Sequence, residues 1–350
     1  MTIKDLAAQT GYSVGTVSRV LNNQPHVSEA AREAILRAAN ESGFQLNANA
    51  KQLKQQQSNA ILVICQGTVN ELFDNMLVAI QARIGQTEYP LIVDYIDEAE
   101  NEVRRAVQLC LEKKPRGILF LGGNLRHFLA DFHHIHVPCV LVTNNARELP
   151  FRNLSSVSSD DVLAAEMAME HLLSLGHRRI GIIGGNRVKS DITALRYRGC
   201  VRALERYGIA PEDSLFEHSR FSYADGYRAA RDLLSREPDV TAIFAISDVT
   251  AIGVIRALTD LGKKVPEDVS VVGFDGLALG DFTLPRLTTV AQSAQALVDR
   301  SLALLANYAN ENAEAIHETV PVTLLVKEST IAFPRGEGAE RGEADEECGR

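Results

Sequence analysis

The feature that most constrains the fold is a series of short apolar segments that begins at Asn59 and alternates with helix-length segments. Gly, Pro or Asn residues bound these segments, which is the pattern of strands buried on both faces in a parallel sheet. The alternation predicts βαβ units, and about 275 residues is too many for one doubly wound sheet, so we expect two similar lobes. The predicted strands are residues 60–65, 91–95, 117–121, 137–142, 180–183, 242–246 and 269–274.

The residues that flank this α/β region differ from it in composition and in the pattern of apolar residues. Residues 1–45 predict a small all-α head of three short helices, and residues 46–58 form a polar, Gln-rich linker. Residues 59–333 hold the predicted α/β core of two doubly wound parallel-sheet lobes. Residues 334–350 are acidic and lack apolar periodicity, so we expect a disordered tail.

The head has the spacing of a helix-turn-helix. Ala7 lets two helix backbones approach, Gly11 allows the tight turn between them, and Val17 fills the space at their crossing. Ser13 is placed to cap the second helix. Val17 and Val20 recur at helical spacing and predict the buried stripe of that helix.

The opposite face of the second helix carries the candidate DNA-binding residues. Arg19 could pair with both acceptors of a guanine in the major groove. Short hydroxyl and amide side chains suit phosphate contacts, which position a domain without reading sequence. The base-facing candidates are Val14, Gly15, Ser18 and Arg19, and the phosphate-facing candidates are Ser13, Thr16 and Asn22. An ordinary three-helix bundle with a polar face is the alternative.

Charge is unevenly distributed along the chain. The whole sequence has a net charge of −9, yet its first 57 residues carry six basic and four acidic side chains. A weakly basic head on an acidic body fits a protein that contacts phosphates with one end only.

These motifs together resemble one known family. The run Thr16–Asn22, then residues 26–28, Arg32 and residues 43–44, is similar to the lactose-repressor (LacI) family, and the likeness extends to about Phe333. The resemblance implies a transcriptional regulator, presumed a repressor, that binds double-stranded operator DNA as a homodimer. It also implies a periplasmic-binding-protein-like core that binds a small-molecule effector.

The linker has one helical feature. Asn47, Ala50 and Leu53 are spaced by three, but a helix this short does not form alone in water. The resemblance implies that hinge helices from two subunits pair in the minor groove, where the leucine wedges between base pairs. A flexible linker is the alternative, and both hold if the hinge folds only on DNA.

Candidate effector-binding residues follow the predicted strands. Ligands of open α/β sheets bind beyond the carboxyl ends of strands, where Asp160, Ser247 and Asp275 lie, and Phe221 could stack on a sugar face or a base. The resemblance adds Arg196 and Phe73. It implies bidentate hydrogen bonds from Arg196 and Asp275 to the effector, which we expect to be a carbohydrate, with a nucleobase as the alternative. Strand-end carboxylates can instead cap helices, and Arg196 can instead hold the two lobes in register.

Several classes of protein find little support. The trio His133, His134 and His136 lacks matching ligands for a metal, and no cofactor or catalytic motif is recognisable. The five cysteines are scattered, and neither a secretion signal nor a membrane span is evident, so we expect a cytoplasmic protein without membrane contact. A sugar-binding protein for transport would share the core but has no use for the head.

Overall fold

The computed structural model describes residues 3–21, 27–42, 59–67, 70–188, 191–307 and 314–333. The predicted contacts of Asn22, Asn47, Ala50 and Leu53 lie outside these residues, as does the predicted tail. The chain divides into two compact units, residues 1–58 and residues 59–350, which are described separately.

The first unit consists of three helices around a small core. They are α1 (Ile3–Thr10), α2 (Val14–Leu21) and α3 (Glu29–Glu41). Leu6, Val17 and Ile35 contribute one fully buried side chain from each helix. Gly11 adopts a φ of 73°, which ends α1 in the left-handed region, and the Ser13 hydroxyl accepts the Thr16 N–H at 3.1 Å. The predicted turn and the predicted cap are therefore confirmed.

The second unit contains two six-stranded sheets with the same strand order in both. The first runs β11-β5-β4-β3-β1-β2 and the second β12-β10-β9-β8-β6-β7. All observed pairings are parallel except β10 with β12. The strands are β1 (Ile61–Gln66), β2 (Leu91–Ile96), β3 (Gly117–Leu121), β4 (Cys139–Val142), β5 (Leu154–Ser159), β6 (Ile180–Gly184), β7 (Phe216–His218), β8 (Ala242–Ala245), β9 (Ser270–Asp275), β10 (Thr288–Gln292), β11 (His317–Val320) and β12 (Val322–Leu325).

Helices cover both faces of each sheet, as the predicted doubly wound architecture requires. The first lobe holds α4 (Glu71–Ile84), α5 (Glu102–Lys113), α6 (Leu125–Asp131) and α11 (Ala294–Asn307). The second lobe holds α7 (Asp161–Ser174), α8 (Asp191–Arg206), α9 (Tyr223–Arg236) and α10 (Asp248–Asp260). The chain passes between the lobes at Asp160, at Ser293 and at Pro321.

The pattern of apolar runs missed five strands and misplaced the start of a sixth. β5 is buried, but four of its six residues are serines, so it has no continuous apolar run. β7 and the edge strands β11 and β12 are short and partly exposed, so they lack a continuous apolar run. β10 is buried but begins Thr288-Thr289, which reads as polar. β4 begins at Cys139 rather than Val137, and Pro138 has no N–H to donate to a neighbouring strand.

The second lobe depends on a close helix crossing between α9 and α10. Gly226 of α9 faces the Thr250 carbonyl, and Gly253 of α10 faces the Tyr223 carbonyl. A Cβ at either glycine would overlap that carbonyl oxygen, so the absence of a side chain sets how near the helices lie.

Gly253→Ala should therefore lower the free energy of unfolding by about 1–3 kcal/mol, because the added methyl forces the helices apart. Urea denaturation of the full chain measures the change. Gly15→Ala makes the same substitution in α2, where the added Cβ would lie 3.7 Å from the Ser13 hydroxyl, an ordinary contact, so it should not lower the free energy of unfolding. Equal effects of the two substitutions would contradict the proposed role of the crossing.

Candidate functional site

The exposed face of α2 is the candidate nucleic-acid surface of the first unit. Val14 is 43% exposed although apolar, and Gly15 and Arg19 are exposed beside it. Val17 and Val20 point into the core from the other face, as predicted. Exposure of a valine and an arginine on one helix face leaves both free to contact a partner.

The hydroxyl candidates lie at the start of the same helix. Ser13 is exposed, and its hydroxyl lies 2.9 Å from that of Thr16. Thr16 and Ser18 are half-buried. Ser13 thus uses its hydroxyl in the cap, and its remaining hydrogen-bonding capacity faces solvent.

The second unit contains a cleft of about 880 Å³ at the carboxyl ends of both sheets. This is the position at which open α/β sheets bind ligands, and its volume lies within the range of small-molecule pockets. Among the predicted residues, Phe73, Arg196, Phe221 and Asp275 line the cleft.

Arg196 lies on the floor of the cleft and is almost fully buried. Its Nε donates to Asp161 at 2.8 Å, its Nη1 donates to the Ile246 carbonyl, and its guanidinium lies 3.6 Å from the centre of the Phe274 ring. Nη2 is 3.9 Å from Asp275. These two hydrogen bonds use two of the five N–H groups of the guanidinium, and Nη1 and Nη2 both keep N–H groups that could reach a ligand, so the expected bidentate contact stays a prediction.

Asp275 ends β9 beside this arginine. Its φ of 120° lies where side chains are rarely found, a strain typical of functional positions. Gln292 donates from Nε2 to Asp275 Oδ1 at 2.8 Å. Burial raises the pKa of Asp275 to about 7, although the Arg196 guanidinium opposes this increase.

Gln292 links the floor of the cleft to the first lobe. Its Oε1 accepts a hydrogen bond from the Ser159 hydroxyl at 2.9 Å. Ser159 ends β5 and Gln292 ends β10, so both precede a passage between the lobes. The sequence analysis missed Gln292 because it missed β10; the Thr-Thr-Val run before the polar pair 292–293 was the available signal.

Two aromatic rings line the cleft, each packed against a glycine. A Cβ on Gly122 would lie 3.1 Å from the Phe73 ring, and one on Gly185 would lie 3.4 Å from the Phe221 ring. These glycines leave room for the rings, which offer flat apolar faces.

Two predicted residues do not line the cleft. Asp160 caps α7, where its carboxylate accepts the Leu163 N–H at 3.0 Å. Ser247 is buried and caps α10, with its hydroxyl accepting the Thr250 N–H at 3.2 Å and donating to Thr250 Oγ1 at 2.8 Å. Short polar residues between a strand and a helix satisfy the first N–H groups of that helix, which is the capping alternative that the sequence analysis gave for strand-end carboxylates.

The first lobe also contributes polar groups to the cleft. The buried Asn144 donates from Nδ2 to the Gly123 carbonyl, and its Oδ1 has no hydrogen-bond partner within the described residues. His127 also lines the cleft, and its Nδ1 lies 2.8 Å from the buried carboxylate of Glu102. Glu102 begins an amphipathic helix, which gives no signal in the sequence that it is buried.

Arginines connect the two lobes across the mouth of the cleft. Arg220 of the second lobe pairs with Glu98 and lies 3.4 Å from Asp97 of the first lobe. Arg126 of the first lobe donates from Nη2 to the Val188 carbonyl at 3.1 Å. The lobes are thus held together at the mouth as well as at the crossings.

Within the described residues, no group of three or more His, Cys, Asp and Glu side chains is arranged to hold a metal ion. No described helix is long and apolar enough to span a bilayer.

Asp275 should make stability depend on pH. Burial raises the pKa of Asp275 from the ordinary 3.8 to about 7. The contribution of the neutral carboxyl to the free energy of unfolding is therefore fully present below about pH 4 and is lost as the pH rises through about 7. Asp275→Asn, which is always neutral, should gain on the wild type by at most about 1.4 kcal/mol per pH unit in that window.

Urea denaturation at several values between pH 4.5 and pH 8 measures this difference. The exposed Asp239→Asn should instead differ from the wild type by a constant amount. A constant difference for Asp275→Asn as well would contradict the buried, neutral carboxyl.

Comparison with known proteins identifies both units. The family of bacterial regulatory proteins described as lacI matches residues 2–47, and the periplasmic binding protein-like domain matches residues 169–330. The transcriptional regulator MalR of Clostridium butyricum is 32% identical over 94% of this chain and 99% of its own length.

Solved structures agree over nearly the whole chain. The Lac repressor dimer bound to operator and the anti-inducer ONPF has a TM-score of 0.77 and 26% identity, covering 95% of this chain and 99% of that one. The complex of the regulator CelR with cellobiose has a TM-score of 0.68 and 27% identity, covering 94% and 99%. These proteins regulate transcription and are not enzymes. The chain is therefore a DNA-binding transcriptional regulator, and it belongs to the LacI family.

Proposed function

We propose that this regulator is a cytoplasmic homodimeric repressor whose affinity for operator DNA changes when a carbohydrate occupies the cleft. The observation that carries the proposal is one chain with both an exposed helix-turn-helix face and a two-lobed cleft with polar groups on its floor. In this proposal residues 1–45 bind DNA, residues 46–58 connect the two units as a hinge, and residues 59–333 bind effector and dimerise.

The DNA-binding roles rest on the exposure of α2. Val14, Gly15 and Arg19 would face bases, with Ser18 beside them, and Ser13 and Thr16 would contact phosphates. Gly15 has no side chain, so Arg19 would carry most of the direct reading. Roles for Asn22 in the head and for Asn47, Ala50 and Leu53 in the hinge complete the proposal.

The carbohydrate assignment rests on the chemistry of the cleft. Asp275 and Gln292 offer hydrogen-bonding groups, and Phe73 and Phe221 offer apolar faces for a sugar ring, while the related CelR structure holds cellobiose. The same two phenyl rings could stack on a nucleobase, which is the second candidate effector class.

The coupling between effector and DNA would work through the passages between the lobes. A ligand that displaces Gln292 from Asp275 would also disturb the hydrogen bond between Gln292 and Ser159, which precedes the first passage. Arg196 donates to Asp161, which follows the same passage. The hydrogen bonds of both Gln292 and Arg196 near the passages would thus change when a ligand occupies the cleft. A coupling of about 1–3 kcal/mol would change operator affinity by about 5- to 150-fold.

Selection of bound duplexes from a random library at near-physiological salt tests the proposed function. We expect enrichment of a palindrome of about 14–20 base pairs with a flexible central step. A selection without enrichment would be repeated with sugars and with purines. No enrichment in any selection would contradict the proposal.

Arg19→Ala should weaken binding to the selected palindrome by about 1–3 kcal/mol and relax the preference at one base pair in each half-site. Fluorescence anisotropy with single-base variants of the palindrome measures both effects. Arg37→Ala removes an exposed arginine of α3 and should leave the base preference intact. An unchanged preference in Arg19→Ala would remove Arg19 from base reading.

Homodimerisation is proposed because large apolar side chains lie exposed on the second unit. Phe282 is 83% exposed and Leu284 is 91% exposed, more than a monomer needs to leave in water.

Leu284→Asp should halve the mass measured by light scattering from twice 38.3 kDa to 38.3 kDa, because a charge cannot be buried there. Leu111→Asp, also at an exposed leucine, should leave the dimer intact; a monomeric wild type would contradict the proposal.

A further inference from the structure

The pair formed by His127 and Glu102 occupies the wall of the cleft in the first lobe. His127 is the only member that lines the cleft, with 30% of its side chain exposed, whereas the Glu102 side chain is fully buried. Glu102 begins α5, where the positive end of the helix dipole favours a carboxylate. The pair is separate from the floor residues Arg196 and Asp275 described above.

Each Glu102 oxygen has its own partner. Oε1 accepts the Asn124 N–H at 2.7 Å and thereby fixes the loop that follows β3. Oε2 lies 2.8 Å from His127 Nδ1. An amide or hydroxyl side chain would satisfy Asn124, so the loop alone does not require a buried carboxylate. The role of the second oxygen, Oε2, is therefore its effect on the imidazole ring of His127.

That effect is to fix the ring and its tautomer. A carboxylate beside Nδ1 favours the tautomer with its proton on that nitrogen, and in this tautomer Nε2 is an acceptor. Nε2 has no hydrogen-bond partner among the described residues. The unpartnered Oδ1 of Asn144, whose amide anchors the same loop at Gly123, is a second acceptor in this wall.

An acceptor that lines a cleft bonds to water there until a ligand supplies a donor in place of the water. We propose that His127 is a specificity-determining residue of the cleft, which accepts a hydrogen bond at Nε2 from a hydroxyl of the effector, and that Glu102 is its positioning residue. This inference rests on the proposed function, because it assumes that the cleft binds a carbohydrate. The inference predicts that the cleft prefers ligands that have a hydrogen-bond donor on the side facing the first lobe.

Isothermal titration of the full-length protein with cellobiose, maltose, lactose, D-glucose and D-ribose tests the assignment. For each sugar that binds the wild type, His127→Ala should weaken binding by about tenfold, the effect of one lost hydrogen bond. His133→Ala removes an exposed histidine of the same lobe and should leave every affinity unchanged.

Two further variants separate recognition from folding. His127→Gln keeps a donor for Glu102 but removes the ring nitrogen, so it should fold as the wild type does and still lose affinity. Glu102→Gln offers an N–H to Nδ1 and so turns Nε2 into a donor. The order of preference among the sugars should therefore change in Glu102→Gln, which a purely structural role would not produce.

The outcomes distinguish the two proposals. Wild-type binding of a sugar with unchanged affinity in His127→Ala and His127→Gln would overturn the role of His127 while leaving the carbohydrate effector in place. Binding of none of the five sugars, with operator selection intact, would overturn the carbohydrate assignment and the role of His127 with it.

Discussion

The core of this regulator depends on one buried guanidinium. Arg196 is the cation that faces Asp161 and Asp275, and its flat face lies on the Phe274 ring. A buried carboxylate without such a partner is costly, so removal of the arginine would leave two uncompensated acidic groups in the floor of the cleft. The cleft, the first passage between the lobes and the end of β9 are thereby joined at one side chain.

This arrangement gives the effector site a physical connection to lobe movement. Asp161 begins the helix after the first passage, and Ser159 and Gln292 precede the first and second passages. Packed lobes joined by few crossings rotate about them with small changes in the backbone. Ion pairs at the mouth, formed by Arg220 with Asp97 and Glu98, are exposed and therefore contribute little stability. Exposed pairs of this kind can break without a large cost when the lobes move.

The wall of the first lobe complements the floor of the second. In the floor, the Gln292 amide donates to the Asp275 carboxyl and Arg196 lies 3.9 Å from that carboxyl, so a ligand must compete with these contacts. The wall offers His127 and Asn144 with acceptors not yet used. Under our proposals, affinity would come from both lobes, whereas selectivity among sugars would come chiefly from the wall.

Much of the fold could be predicted from the sequence because its signals are local. The spacing of Ala7, Gly11 and Val17 specifies the helix-turn-helix, since a small residue, a turn and a filler are needed at those positions in any context. Continuous apolar runs specify the central strands. The edge strands β11 and β12 could not be found in this way, because one face of each is open and their partners are distant in sequence.

The candidate site was only partly predictable. The pattern of polar residues after strands selected Asp275 correctly as a cleft residue, but it selected Asp160 and Ser247 on the same grounds, and both cap helices. Whether a polar side chain after a strand turns toward a helix or toward a ligand depends on the neighbouring chain, which local sequence does not encode.

Local signals in the sequence are sufficient to specify the family, the head, the two-lobed core and the aromatic and charged residues that a cleft of this kind uses. The contacts that those residues make follow from the folded arrangement of the chain. Arg196 donates hydrogen bonds to the Asp161 carboxylate and the Ile246 carbonyl. Gln292 accepts a hydrogen bond from Ser159 of the other lobe, and the buried Glu102 carboxylate contacts His127. These facts depend on contacts between residues far apart in the chain, whose geometry follows from packing rather than from any local pattern.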